Sequence, residues 1–205
     1  LQGLSKSALI SRMARLAPGG RRVAMANRTE GSSYEAPTRW VAHQCISMPW
    51  HIHALDRARM LCALALGYPV PHSPPAALPL NTRPDNELSK EVVLVHGSSR
   101  ADKQWPQAHW LELGQRLMQA GLVPVFVHGN AAEQALSMKM QGLLQGSHCW
   151  PLLPIDEMAQ RMAACAGVIG VDSGPSHLAV ALGLAHVQIY NHDTAWRTGP
   201  QHRPH

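Results

Sequence analysis

Two loops of the sequence carry residue types that bind anions. The first is Gly97-Ser98-Ser99-Arg100-Ala101-Asp102-Lys103-Gln104-Trp105-Pro106. Gly97 permits close backbone approach, Ser98 and Ser99 offer hydroxyl donors, and Lys103 is a compact cation suited to phosphate. Pro106 fits the start of a following helix. The G-x-x-x-x-G-K-[ST] spacing of a Walker loop is absent. An exposed polar loop with solvated Lys and Arg side chains would read the same way. The second loop is Val171-Asp172-Ser173-Gly174-Pro175-Ser176-His177. It leads from an apolar run into a helix, whose free N–H groups and positive dipole end attract an anion. Ser173 and Ser176 add donors, and His177 stands one turn in, facing the same mouth. Asp172 suits hydroxyl or N–H groups better than phosphate, since like charges repel. As a plain N-cap, Asp172 or Ser173 would need no histidine nearby, which favours ligand binding. Glu133, shortly after Gly129, suits a ribose diol, and equally suits an exposed helix start.

Other chemistries fare worse. Asp172-Ser173-Gly174 echoes the nucleophile segment of chymotrypsin-like proteases, but those are all-β, and no G-x-S-x-G elbow occurs. A Ser173 or Ser176 nucleophile with His177 would need neighbours at a helix start to face each other. His51-x-His53 could ligate a metal, but the pair reads more simply as surface histidines. The absence of G-x-G-x-x-G argues against a dinucleotide-dependent dehydrogenase.

The elements that must position these loops follow from the pattern. Residues 92–96, 123–127, 168–171 and 187–190 are compact apolar strands, and 149–153 reads as a shorter one. Helical patterns over 107–120, 131–144, 155–166 and 175–182 alternate with them. Continuous apolar strands between amphipathic helices predict an α/β fold, a doubly wound, Rossmann-like parallel sheet covered on both faces. Ligands of such sheets bind at the carboxyl ends of the strands, where both loops fall. Upstream, residues 4–16 and 53–66 read as helices, the second closed by Gly67, with a short strand over 23–26. Residues 27–50 give no regular pattern. The proline-rich stretch 69–90 reads as a linker between residues 1–68 and a domain over 91–205.

With 205 residues, 45% of them hydrophobic, the chain can build a real core. Its net charge of +5 is uneven, because residues up to 60 carry nine cations against Glu30, Glu35 and Asp56. That suggests an anionic partner such as nucleic acid, a phosphorylated glycolipid or a membrane surface. A solvated arginine-rich face would give the same count. Cys45, Cys62, Cys149 and Cys165 show neither C-x-x-C nor zinc spacing, and with no signal-peptide layout they favour the cytoplasm. No run of about 18 apolar residues predicts a transmembrane helix. Leu1 opens on a helical pattern, so the chain reads as a soluble fragment that begins inside a domain.

Taken together, the motifs resemble the ADP-heptose:lipopolysaccharide heptosyltransferases of glycosyltransferase family 9. The loop Val95–Pro106 is similar to that family's donor loop, nearer its type I than its type II branch. Asp172-Ser173-Gly174-Pro175-Ser176-His177 resembles its D-[TS]-G-x-x-H signature. Gln2-Gly3-Leu4-Ser5-Lys6-Ser7-Ala8 resembles Q-G-x-x-K-S-A, and His53–Arg59 resembles H-x-x-[ED]-R-x-R. The resemblance implies a GT-B fold: the end of an acceptor domain over 1–68, then a nucleotide-sugar domain over 91–205, truncated at its C-terminus. It implies inverting transfer of L-glycero-D-manno-heptose from ADP-heptose to a Kdo sugar of the lipopolysaccharide inner core, carried on lipid A, without metal or cofactor and with no nucleic acid partner. The setting would be the cytoplasmic face of the inner membrane. Ser98, Ser99 and Lys103 would meet the diphosphate and nearby sugar, Glu133 the ribose, and Leu153 the adenine. Asp172, Ser173, Gly174 and His177 would hold the heptose and diphosphate, with Lys103, Asp172 and His177 serving catalysis. Arg57 and Arg59 fit a phosphorylated acceptor. The family's catalytic-base aspartate is expected before Leu1, so the chain alone is expected to bind donor without transferring it. Another nucleotide-sugar transferase, told apart by UDP preference, and a non-catalytic nucleotide-binding module are the rival readings.

Overall fold

A computed structural model describes residues 5–71, 77–78 and 89–201. The chain divides into two compact units, Leu1–Ser73 with Trp196–Thr198, and Pro74–Ala195 with Gly199–His205.

The first unit holds α1 (Ser5–Met13), β1 (Val23–Met25), α2 (Thr38–Val41), β2 (Gln44–Ile46) and α3 (Ala54–Leu66). β1 and β2 pair in parallel, Val23 opposite Gln44. Met25, Ile46, Met48 and Leu61 form their shared core. Gly67 ends α3 in the left-handed region, φ 75°, as a C-cap without a Cβ should. Arg22 closes α1 from outside: its guanidinium donates to the carbonyls of Ser11 (2.9 Å) and Ala14 (2.8 Å), a cation at the negative end of a helix. That arginine is therefore used structurally. Within 27–50, where no regular pattern was expected, the regular structure consists of α2 and β2. The expected linker falls mostly outside the described residues, as do Gln2, Gly3 and Leu4.

The second unit holds β3 (Glu91–Val95), α4 (Gln107–Gln119), β4 (Val123–Val127), α5 (Ala131–Leu143), β5 (His148–Cys149), α6 (Ile155–Ala163), β6 (Gly167–Val171), α7 (Gly174–Ala181) and β7 (His186–Ile189). A short helix, α8 (Ala195–Thr198), follows in sequence, and its residues Trp196–Thr198 belong to the first unit. All five strands pair in parallel in the order β5-β4-β3-β6-β7. The chain starts in the centre, winds outward through β4 and β5, and returns to wind the other way from β6. This is the doubly wound order, and its reversal lies between β3 and β6. Successive side chains face opposite layers, so both layers must be apolar. Val93, Val95, Val125 and Val127 pack with Met158, Met162 and Ala179. Val92, Leu94 and Phe126 pack with Trp110 and Met140 on the other side. The predicted strands and helices of this unit are all present; β5 and α6 are shorter than expected.

Candidate functional site

At the carboxyl ends of β3, β4 and β6 a cavity of about 360 Å³ opens, at the reversal of strand order. Both sequence-selected loops line it. Gly97, Ser98, Ser99 and Lys103 come from the loop after β3, which makes a single 3-10 turn over Ala101–Lys103. Asp172, Ser173, Gly174 and His177 come from the junction of β6 and α7. Glu133 enters from the first turn of α5.

Asp172 organises the centre. Its carboxylate is 7% exposed and accepts from Lys103 Nζ at 2.6 Å and from His177 Nε2 at 3.0 Å, one oxygen to each. Burial pushes its pKa up, but the Lys103 hydrogen bond and charge, with His177 adding, outweigh burial and hold it below the ordinary carboxylate value. Lys103 has three N–H donors, so engagement with Asp172 leaves others for an incoming anion. Beside it, α7 begins at Ser173, which makes no side-chain cap bond. The N-cap reading of Ser173 therefore fails in its simplest form. Its Oγ is buried and without a protein partner, a donor disposed for something else.

Glu133 is part of a cap and part of the cavity wall. Asn130 Oδ1 accepts from the Glu133 N–H (2.9 Å), and Glu133 Oε2 accepts from the Gly129 N–H (2.7 Å). This is a capping box displaced by one residue. The carboxylate lies so close over Gly97 that a Cβ there would come 2.4 Å from its carbon. Any larger residue at 97 would displace it.

The structure does not bring every candidate into the cavity. Leu153 packs on the core of the α6 and α7 layer and is not among the lining residues. Arg57 and Arg59 belong to α3 in the first unit. Arg57 donates to Thr29 Oγ1 at 2.9 Å, and burial, then Arg197, lowers its pKa. His51 pairs with Glu30 at 2.7 Å and stacks on Trp196, while His53 caps α3, so both serve local structure. Among the described residues no group of three metal-ligating side chains occurs.

Sequence reasoning missed His96 and His128. They follow β3 and β4 and are 3% and 4% exposed, and His128 lines the cavity. The signal was legible: Val95-His96-Gly97 and Val127-His128-Gly129 repeat one tripeptide at two strand ends. His96 Nε2 pairs with Ser137 Oγ at 2.7 Å. Burial lowers both histidine pKa values against an opposing pull from Glu133.

The fold is that of a doubly wound α/β protein, and a cation and a helix N-terminus converge at its switch point, where such sheets take their ligands. The sequence model of glycosyltransferase family 9 (heptosyltransferase) matches residues 1–204, and the chain belongs to that family. Lipopolysaccharide heptosyltransferase 1 of Pseudomonas aeruginosa is 29% identical over 200 residues, covering 97% of this chain and 55% of its own. The Escherichia coli K12 protein of the same name is 28% identical over 196 residues, covering 92% and 58%. Among solved structures, the E. coli heptosyltransferase WaaC with ADP superposes with a TM-score of 0.77 at 25% identity, over 97% of this chain and 61% of that one. The chain thus spans a little over half the length of these curated relatives.

Proposed function

We propose that this chain carries the donor site of an inverting heptosyltransferase, which moves L-glycero-D-manno-heptose from ADP-heptose to a Kdo sugar of the lipopolysaccharide inner core, without a metal. One observation carries the reading: Lys103 Nζ stands on Asp172 in the same cavity mouth as the N-terminus of α7. A diphosphate bridging those two would have its charge met at both ends. Family membership and a solved relative with ADP support the nucleotide chosen.

In this reading Ser98, Ser99, Lys103 and the N–H groups at Gly174 hold the diphosphate. Glu133 takes the ribose hydroxyls, and Leu153 lies toward the adenine. Asp172, Ser173 and His177 meet the heptose. An acceptor hydroxyl oxygen attacks the anomeric carbon as its bond to the β-phosphate oxygen breaks, inverting the centre. Negative charge grows on the departing ADP, and Lys103 with the helix end stabilises it electrostatically, as fixed donors do at a developing anion. Asp172 is already engaged by two donors, so it orients them, and the acceptor's proton passes to a separate base, the aspartate that the family resemblance implies. Residues 1–68 would face the acceptor, with Arg57 and Arg59 toward its phosphates, and 91–205 the donor, joined through 69–90. The acceptor, Kdo on lipid A, would place the protein at the cytoplasmic face of the inner membrane. No described helix is long and apolar enough to cross a membrane.

Calorimetric titration with ADP and UDP tests this. Saturable ADP binding, weaker UDP binding, and a loss of about tenfold or more in Lys103→Ala are expected, the scale of one charge-assisted contact. A folded chain, by circular dichroism, that binds neither nucleotide overturns the reading.

A further inference from the structure

The residues at the end of β7 line no part of the cavity, yet they hold both arms that donate to Asp172. Asn191 Nδ2 donates to the carbonyl of Asp102 at 3.1 Å and to that of Gln104 at 2.8 Å. These residues flank Lys103 on either side. Carbonyl oxygens only accept, so the amide's orientation is settled with Nδ2 toward the turn. The backbone bonds of that turn are no shorter, Lys103 N–H to Arg100 at 3.2 Å and Gln104 N–H to Ala101 at 3.1 Å. A single 3-10 turn of this kind has little rigidity of its own. Asn191 ties it to the sheet.

The other arm is held from the same strand. His177 Nε2 faces a carboxylate oxygen, so the neutral ring carries its proton there and leaves Nδ1 an acceptor. Gln188 Nε2 lies 3.4 Å from Nδ1, and Gln188 Oε1 accepts from the Tyr190 hydroxyl at 2.9 Å. The tyrosine thereby turns the amide so that its NH2 meets the histidine.

We propose that Asn191 is a positioning residue for Lys103, and Gln188, turned by Tyr190, one for His177. The carboxyl end of β7 then sets the spacing of the two donors around Asp172. The proposal rests on the donor-site reading for the identity of the anion, but the positioning is a property of the ligand-free chain. Two experiments are separable for that reason.

Amide hydrogen exchange on the 205-residue chain needs no ligand. Asn191→Ala should speed exchange at the Lys103 and Gln104 amides by about tenfold, the scale of the hydrogen bonds removed, with Val93–Val95 unchanged. Asn191→Asp, of equal size but without donors, should match it. Unchanged exchange in both variants overturns the Asn191 assignment. Long-range proton–nitrogen spectra should show His177 as the Nε2–H tautomer, and Gln188→Glu, which removes the donor, should shift that pattern. An unmoved pattern overturns the Gln188 assignment. With ADP as probe, Asn191→Ala should weaken binding about tenfold in the parent and less than about twofold in a Lys103→Ala background. Equal losses in both backgrounds mean a structural tie that does not act through Lys103, and overturn it. If the parent binds no ADP, the donor reading fails while exchange and tautomer still decide the positioning.

Discussion

Glu133 shows how one carboxylate is fixed by its neighbours rather than by its own backbone. Its Oε2 is held by the Gly129 N–H, and its carboxyl carbon lies where a Cβ on Gly97 would stand. Gly97→Ala would thrust a methyl group at the far end of a flexible side chain, which can swing away at small expense in stability. Overpacking against rigid core would instead cost about 1–3 kcal/mol. The expected outcome is therefore split: a melting temperature within a degree or two of the parent, roughly, and ADP binding weakened about fivefold or more. Glu133→Gln should lose a similar factor, and the double variant no more than either, because both act on one group. Unaltered ADP affinity in Gly97→Ala would remove Glu133 from the ribose. Glycine at 97 was legible as a site of close approach; what approaches it was not, because Glu133 comes from another strand-to-helix turn.

Gly170, in the middle of β6, presents the contrasting case, in which the obstacle is the sheet itself. A Cβ there would lie 2.6 Å from Val95 Cβ, the residue paired with it on β3, and 2.3 Å from Ser176 Oγ on α7. Neither neighbour is the loose end of a long chain, so Gly170→Ala must shift β3 or lift α7. About 1–3 kcal/mol of stability should be lost, a fall of very roughly 2–12 °C in melting temperature for a chain of this size. Because α7 opens the cavity, ADP affinity should fall as well; a stable variant with parental affinity would show that α7 tolerates the displacement. The strands of this sheet were legible because both faces are buried, which leaves Glu91–Val95 and Val123–Val127 almost unbroken apolar runs. β2 and α2 were not. Three residues with Cys45 exposed between half-buried Gln44 and buried Ile46, and a helix of four, are shorter than the periods that would announce them. The site was legible as two loops at strand ends; Asn191 and Gln188 were not, since they touch the site only through backbone carbonyls and a ring nitrogen brought together by the fold.

For the whole molecule, the buried ionisable groups set a stability that depends on pH in two steps. His96 and His128 are buried, and burial, against Glu133, lowers both below the ordinary 6.5. The unfolded chain therefore binds protons that the folded one refuses, and stability must fall as pH drops below 6.5 toward the folded values. Asp172 is held below its ordinary 3.8: burial alone would raise it, but Lys103 and His177 prevail. Its contribution is present above 3.8 and is lost as pH falls further, a second and later descent. Charge repulsion competes with the first step, because the net charge of +5 grows as exposed members of the 13 histidines protonate. The two causes respond differently to salt. Repulsion between surface charges is screened within about 3 Å at 1 M ionic strength, whereas the refusal of a proton by a buried ring is not. Urea unfolding at pH 7.5, 6.5 and 5.5 should show stability falling between the last two by up to about 1.4 kcal/mol per histidine and pH unit. That fall should survive 0.5 M salt, on the order of a 4 Å screening length, and should flatten in a variant combining His96→Gln and His128→Gln. A parent whose fall vanishes in salt, or a double variant that keeps it, would assign the effect to the surface charge and not to the repeated Val-His-Gly strand ends.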